Sequence, residues 1–169
     1  MKALFIGRFQ PFHKGHLKVI EEISKNFDEV IIGIGSSQYS YTMDNPFSSD
    51  ERIEMINECL KQEGIKNYEI VLIPDIHDPP NWVDHVLNII SAFDVVVSNN
   101  EFTRELFKEK GFETTNTELF DKNNFSGKKI RKLIATDKEW EEFVPTNVSS
   151  IIHEINGIER IKDLFEKQS

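Results

Sequence analysis

Two histidines three residues apart, His13 and His16, stand in the stretch Gly7-Arg8-Phe9-Gln10-Pro11-Phe12-His13-Lys14-Gly15-His16. A short apolar run, Leu4 to Ile6, precedes the stretch, and Leu17, Ile20, Ile23 and Phe27 follow it at helical spacing. The pair therefore falls where a helix begins, and the open N–H groups and dipole of such an end attract anions. Gly15 lets an anion come close to the backbone, and Arg8 adds a planar fork matched to phosphate oxygens. Residues of these types at this spacing point to phosphate chemistry. A competing reading has the two imidazoles only capping the helix through bonds to backbone. Gly7, Arg8, Pro11 and Gly15 in register after a strand favour the phosphate reading.

Other phosphate and metal motifs are missing. The chain has no G-x-x-x-x-G-K-[ST] loop, and Gly33-Ile34-Gly35 lacks the third glycine of a dinucleotide fingerprint. Zinc is disfavoured because no glutamate follows His13 and no third ligand stands out; no protein-held metal is expected. The single cysteine, Cys59, cannot form an internal disulfide and is a weak candidate nucleophile.

A second small-residue helix start followed by cations is Phe125-Ser126-Gly127-Lys128-Lys129-Ile130-Arg131. By itself it also reads as a Ser N-cap with a solvated basic face. Ser36, Ser37 and Gln38 follow a β-branched run, with Asn45-Pro46-Phe47 and Glu51-Arg52 downstream. Two roles stand for Arg52: a ligand contact, or a pairing with a carboxylate that braces the loop. A further segment runs from Asp75 through Asn81 to Trp82, whose ring is suited either to stacking on a flat heterocycle or to anchoring a first helical turn in the core.

The elements that must hold these residues alternate. Apolar runs at Leu4–Ile6, Val30–Ile34, Glu69–Ile73 and Val95–Val97 read as strands. Between and after them lie helical patterns: one from Leu17 to Phe27, one capped by Ser48 to Glu51, one over Trp82 to Ile90, and one over Phe102 to Lys110 stopped by Gly111. The expected fold is α/β, a Rossmann-like parallel sheet with helices on both faces. Three more patterns, Lys128–Ile134, Val148–Ile155 and Ile158–Phe165, give a helical C-terminal segment. One domain is expected over 169 residues, with the Rossmann-like core to about residue 120 and the helical part beyond it. In such sheets ligands bind beyond the carboxyl ends of the strands, so the loops after Ile6, Ile34, Ile73 and Val97 are the expected site.

Taken together, the first stretch resembles the HxGH signature of the nucleotidylyltransferase superfamily, and GRFQPFHKGH is similar to that of the archaeal-type nicotinamide-nucleotide adenylyltransferases. The likeness extends from residue 2 to about residue 164, including Trp140, Val144-Pro145 and Glu154 to Arg160. It implies transfer of AMP from ATP to nicotinamide mononucleotide, with NAD and pyrophosphate as products. It also implies Mg2+ brought in with ATP, and a homo-oligomer. By position, His13, His16, Arg8 and Arg131 would be catalytic. Gly7, Arg8, Phe9, Gln10, Lys14, Gly15, Ser126, Gly127, Lys128, Ile130 and Arg131 would hold the nucleotide, and Ser36, Ser37, Asp75, Asn81, Trp82 and Asn100 the acceptor. Three departures stand out: Lys128 where a hydroxyl residue is commoner, Pro79 three residues before Trp82 where relatives tend to carry Asn, and Ser98-Asn99-Asn100-Glu101 in place of an SGNP loop. The same signature chemistry also serves FMN, phosphopantetheine or phospho-alcohol acceptors and CTP donors, and a nucleotide sensor without turnover is the rival of a different class.

The bulk numbers limit the alternatives. A net charge of -9 opposes broad attachment to nucleic acid, so any phosphate site must be local. The N-terminal apolar run is too short for a signal core or a membrane span, which gives the expectation of a cytoplasmic protein away from membranes. Phe120 and Phe125, in a loop, fit either a subunit interface or the core.

Overall fold

A computed structural model describes residues 1–116 and 125–168. Phe120, read above as interface or core, lies outside the described residues.

The strand runs pair as read. β1 (Lys2–Gly7), β2 (Glu29–Gly35), β3 (Tyr68–Ile73) and β4 (Val95–Val97) all appear, and β5 (Glu113–Thr115) adds a fifth strand that the apolar pattern did not signal. Its three residues are Glu-Thr-Thr with exposed ends, so the apolar run used to find the other strands is missing. All ladders are parallel and the order is β3-β2-β1-β4-β5.

Alternation along the strands sends side chains to two cores. Phe5, Ile32 and Val97 enter one cluster, which takes Val19 and Ile20 of α1 (Lys14–Asn26) and Met55, Ile56 and Leu60 of α2 (Ser49–Gln62). Leu4, Ile31 and Val96 enter the other, with Val83 and Val86 of α3 (Pro79–Ile89) and Phe107 of α4 (Glu101–Glu109). Helices thus cover both faces. The later helices are α5 (Gly127–Ala135), α6 (Thr146–Glu154) and α7 (Gly157–Glu166). Ile130, Ile134, Val148, Ile152 and Ile161 from these helices join the first cluster, so the helical segment and that face of the sheet share one core. A short 3-10 turn at Glu141–Phe143 lies between α5 and α6. No helix among the described residues is long and apolar enough to cross a membrane.

The chain winds outward from β1 to β3 and then crosses to β4 on the other side of β1. Connections leaving β1 and β4 diverge there to opposite faces and open a crevice at the carboxyl edge of the sheet. α2 is capped as the sequence indicates: Glu51 N donates to Ser48 Oγ at 3.2 Å and Ser48 N donates to Glu51 Oε1 at 2.8 Å.

Candidate active site

At that edge lies a cavity of about 330 Å³. The end of β1 contributes Gly7 and Arg8, α1 contributes His16, and the end of β2 contributes Gly35 and Ser36. The far wall is Asp75 and Trp82 after β3, with Asn99, Asn100 and Thr103 after β4. A smaller pocket of about 240 Å³ adjoins it, shares Asp75, Trp82 and Thr103, and adds Ile76, His77 and Phe102.

The two histidines form an unusual helix start. His13 is the N-cap of α1, and its Nδ1 accepts from His16 N at 3.2 Å. In return, His16 Nδ1 accepts from His13 N at 3.1 Å. An Nδ1 that accepts a backbone N–H carries a lone pair, so the proton of each neutral ring sits on Nε2. The rings stack with centroids 3.5 Å apart, and His16 also lies 4.8 Å from Phe9, edge to face. Burial pushes His13 down to about 3 from its ordinary 6.5. Burial, and next the neighbouring His13, hold His16 well below that value too. The capping account of the pair is thus correct for the Nδ1 atoms, and both rings are neutral Nε2–H donors near pH 7.

Arg52 is completely buried, and all its bonds go to backbone carbonyls. Nη1 donates to Arg8 O and Gly35 O, each at 3.0 Å, and Nη2 donates to Ser36 O and Tyr39 O, each at 3.3 Å. Nε donates to Ser48 O at 3.2 Å. Of the two roles open from the sequence, the brace holds, with carbonyls rather than a carboxylate as partners. Desolvation, and next the charge of Arg8, bring its pKa down to about 10.

The second motif abuts the first. Ser126 caps α5 by accepting from Lys129 N at 3.1 Å. Arg131, 5% exposed, donates from Nη1 to Gln10 O at 2.8 Å, and its Nη2 lies 4.0 Å from Asp44 Oδ1. Its Nε is buried with no hydrogen-bond partner among the described residues. Burial, and next Arg8, lower Arg131 to about 10. A Cβ on Gly127 would meet Gln10 O and Arg131 Nη1, each at 3.0 Å, so the close approach of the two motifs depends on glycine there.

Sequence comparison bears on the same residues. The profile of the family described as cytidylyltransferase-like matches residues 4–150. A nicotinamide-nucleotide adenylyltransferase of Methanococcus vannielii is 47% identical over 167 residues, covering 99% of this chain and 96% of that protein. One of Archaeoglobus fulgidus is 41% identical, with 97% of each chain covered. The chain belongs to the nicotinamide-nucleotide adenylyltransferase family. Among solved structures, a bifunctional NMN adenylyltransferase/ADP ribose pyrophosphatase of Francisella tularensis, complexed with AMP and a manganese ion, superposes with a TM-score of 0.69 at 25% identity over 98% of this chain. The chain spans 56% of that protein's length.

In this member of the adenylyltransferase family, the cavity gathers seven of the residues singled out from sequence: Gly7, Arg8, His16, Ser36, Asp75, Trp82 and Asn100. Others stand elsewhere, each for a physical reason. His13, 2% exposed, is folded back over the helix start and does not line the cavity. Gly15 is buried in the first turn of α1. The Phe9 ring and the Ile130 side chain are core residues at 1% and 0% exposure, so neither side chain faces a ligand. Gln10 is a buried brace: Nε2 donates to Phe47 O at 2.8 Å and Oε1 accepts from Phe47 N at 2.9 Å.

Lys14 is exposed on a separate cleft beside α2 and α6, away from the cavity. Ser37 turns its amide toward Ile73 O at 3.3 Å, which closes the loop after β2 instead of lining it. Asn81 donates to Asp78 Oδ2 at 2.7 Å within its own helix start and lines neither pocket. Ser126, Gly127, Lys128 and Arg131 do not line the cavity, and Arg131 and Gly127 lie against Gln10 instead. Cys59 is buried and pushed up to about 12 by burial first and then by Glu63 and Glu58, so it is an inert core thiol.

Trp82 packs edge-on against Phe107 at 5.6 Å, as a core anchor would, and also lines both pockets.

Two features escaped the sequence reading. Asp75 is clamped from three sides: Ser36 Oγ donates to its Oδ2 at 2.6 Å, Gln38 Nε2 donates to its carbonyl at 2.9 Å, and its amide donates to Gln38 Oε1 at 2.9 Å. Arg160 of α7 donates to both carboxylate oxygens of Glu51, at 2.6 and 2.9 Å, and to Pro46 O at 3.0 Å. Separations of 39 and 109 residues leave no local signal for either.

Proposed function

We infer that this chain transfers the AMP unit of ATP to nicotinamide mononucleotide, forming NAD and pyrophosphate. The observation that carries the reading is the reciprocal bonding of His13 and His16, which fixes two neutral Nε2–H donors at a helix N-terminus, with His16 on the wall of the cavity. Relatives named nicotinamide-nucleotide adenylyltransferase, 41–47% identical over nearly the whole chain, support it.

The acceptor's 5'-phosphate attacks the α-phosphorus of ATP in line, the bond to the β-phosphate oxygen breaks, and pyrophosphate leaves. A phosphate monoester has a second pKa of about 6, so the nucleophile needs no base near neutrality. The protein's work is then to position the reactants and offset charge on crowded phosphates. His16 donates to the α-phosphate region with His13 as the second donor. Arg8 faces the triphosphate from the cavity, and Arg131, whose buried Nε donor is unpartnered among the described residues, meets its outer phosphates. Gly127 lets the second motif, with Arg131, lie close against Gln10 of the first. Trp82 offers its face to the nicotinamide ring.

Among the described residues no three His, Cys, Asp or Glu groups cluster as a metal cage. Mg2+, in this reading, would enter with ATP and would offset charge on its phosphates; a manganese ion accompanies AMP in the Francisella neighbour.

Pyrophosphate release with ATP and a panel of acceptors tests the reading. NAD formed from nicotinamide mononucleotide, with FMN, phosphopantetheine and CTP inactive, is the expected result. ATP binding without turnover on any acceptor overturns it in favour of a sensor.

A further inference from the structure

Two groups outside α5 bracket the Arg131 guanidinium: Gln10 O, 2.8 Å from Nη1, and Asp44 Oδ1, 4.0 Å from Nη2. Asp44 stands at the tip of a tight turn, in which Thr42 and Asn45 exchange backbone bonds at 3.2 Å each and Tyr41 N donates to Pro46 O at 3.3 Å. Gln10 is fixed by Phe47, which bonds its side chain through both backbone groups. The segment 41–47 therefore carries one neighbour of Arg131 and holds the other.

That segment is gripped by α7, through two residues one turn apart. Arg160 Nη1 donates to Pro46 O at 3.0 Å, its guanidinium carbon lies 4.1 Å from the centre of the Tyr41 ring, and both terminal nitrogens bond to Glu51. A planar fork can meet a carbonyl, a ring face and a carboxylate together, which the point charge of a lysine cannot. Gly157 sits so close that an added Cβ would lie 3.1 Å from the Phe47 ring. The same helix packs on α5, with Ile161 in one cluster with Ile130 and Ile134. Arg160 itself lines neither pocket of the site, so any effect on a ligand passes through other residues.

We propose that Arg160 is a positioning residue for the nucleotide: by pinning the 41–47 segment to α7 it holds Arg131 in register with the first motif. The inference rests on the reading that Arg131 meets the outer phosphates of ATP. A guanidinium already in place saves the cost of ordering it when the triphosphate arrives. The consequence is selective. ATP reaches Arg131 and feels the loss of Arg160, whereas AMP ends at the phosphate beside His16 and Arg8 and does not.

Isothermal titration calorimetry with ATP and with AMP, each with Mg2+, tests this in the parent, Arg160→Gln, Arg131→Gln and the double variant. R160Q is expected to weaken ATP about tenfold and AMP less than about twofold, with Arg160→Lys recovering only part of the loss. On top of R131Q the same change is expected to alter ATP affinity less than about twofold, because no guanidinium remains to be positioned. A purely structural brace would weaken both nucleotides alike, or weaken ATP equally in both backgrounds, and either result overturns the proposal. So does unchanged ATP affinity in R160Q or in R131Q.

If circular dichroism shows R160Q unfolded, Glu51→Gln serves in its place. Glutamine keeps an oxygen for the Ser48 amide and removes the charge opposite Arg160, so a smaller loss confined to ATP is expected and no loss overturns the proposal. Because binding is read without an acceptor, failure to make NAD would sink the functional reading while the contrast between ATP and AMP still decides the role of Arg160.

Discussion

His13 Nδ1 accepts from the amide of His16 at 3.2 Å while His16 Nδ1 accepts from the amide of His13 at 3.1 Å. Helix capping and the tautomer of both rings are thus set by the same two bonds. Replacing His16 with alanine is expected to lower kcat by about 10²-fold or more with little change in KM, the scale of losing one preorganised donor. Loss of the bond from His13 N to the His16 ring should also cost about 1 kcal/mol of stability, while the His13 cap itself survives. Steady-state kinetics beside a urea titration separates the two effects, and a defect confined to KM contradicts the assignment.

Stability should fall on acidification because of the same pair. Unfolded His13 binds a proton below its ordinary 6.5, whereas in the folded chain it does so only near 3. Between these values the unfolded state holds the extra proton, so stability present above pH 6.5 is lost as pH falls toward 3, by up to about 1.4 kcal/mol per pH unit for this group. Unfolding midpoints from pH 7 to pH 4 should show this slope, and His13→Gln should flatten it.

Arg52→Lys tests the buried brace. A lysine has three donors against the five N–H bonds that Arg52 makes to carbonyls, so at least two carbonyls lose their partner. A loss of about 2 kcal/mol or more is expected by chemical denaturation, with a higher KM for ATP because the loops carrying Arg8 and Ser36 loosen. Wild-type stability in this variant would show that the charge alone matters.

How much of this was legible in the sequence follows physical range. The four apolar strands, the Ser48 capping box and the histidine pair announce themselves within a few residues, and the structure places them as read. β5 did not, because three residues of Glu-Thr-Thr at a sheet edge bury too little to leave an apolar pattern. Arg52 was left with two roles because burial and partner identity are tertiary facts. Phe9 and Ile130 sit inside stretches that the family resemblance assigns to the nucleotide, yet their side chains are in the core, a distinction that a one-dimensional motif does not contain. The clamp on Asp75 joins two loops whose adjacency exists only after β2 and β3 have paired.

Gly127→Ala should lower kcat/KM by about ten- to a hundredfold while leaving the melting temperature nearly unchanged. The added Cβ would press on Gln10 O and Arg131 Nη1 at 3.0 Å and shift the guanidinium relative to the first motif. Normal kinetics in this variant would argue against Arg131 as a phosphate ligand.

Trp82→Ala should raise KM for the mononucleotide about tenfold or more and leave KM for ATP little altered, with Trp82→Phe recovering part of the loss. Equal damage to both substrates would assign Trp82 to packing on Phe107 alone.

Arg160 reaches back 109 residues to Glu51 and on to the carbonyl of Pro46, next to the residue that holds Gln10. Chains emerge from the ribosome amino end first, so the sheet and its histidine loop are made well before the helix that secures them. A nascent chain can therefore own the signature and most of the core while its phosphate loops are still unsecured. The bonds of Arg160 to Glu51 and Pro46 thus complete the bracing of this loop only once α7 has been made.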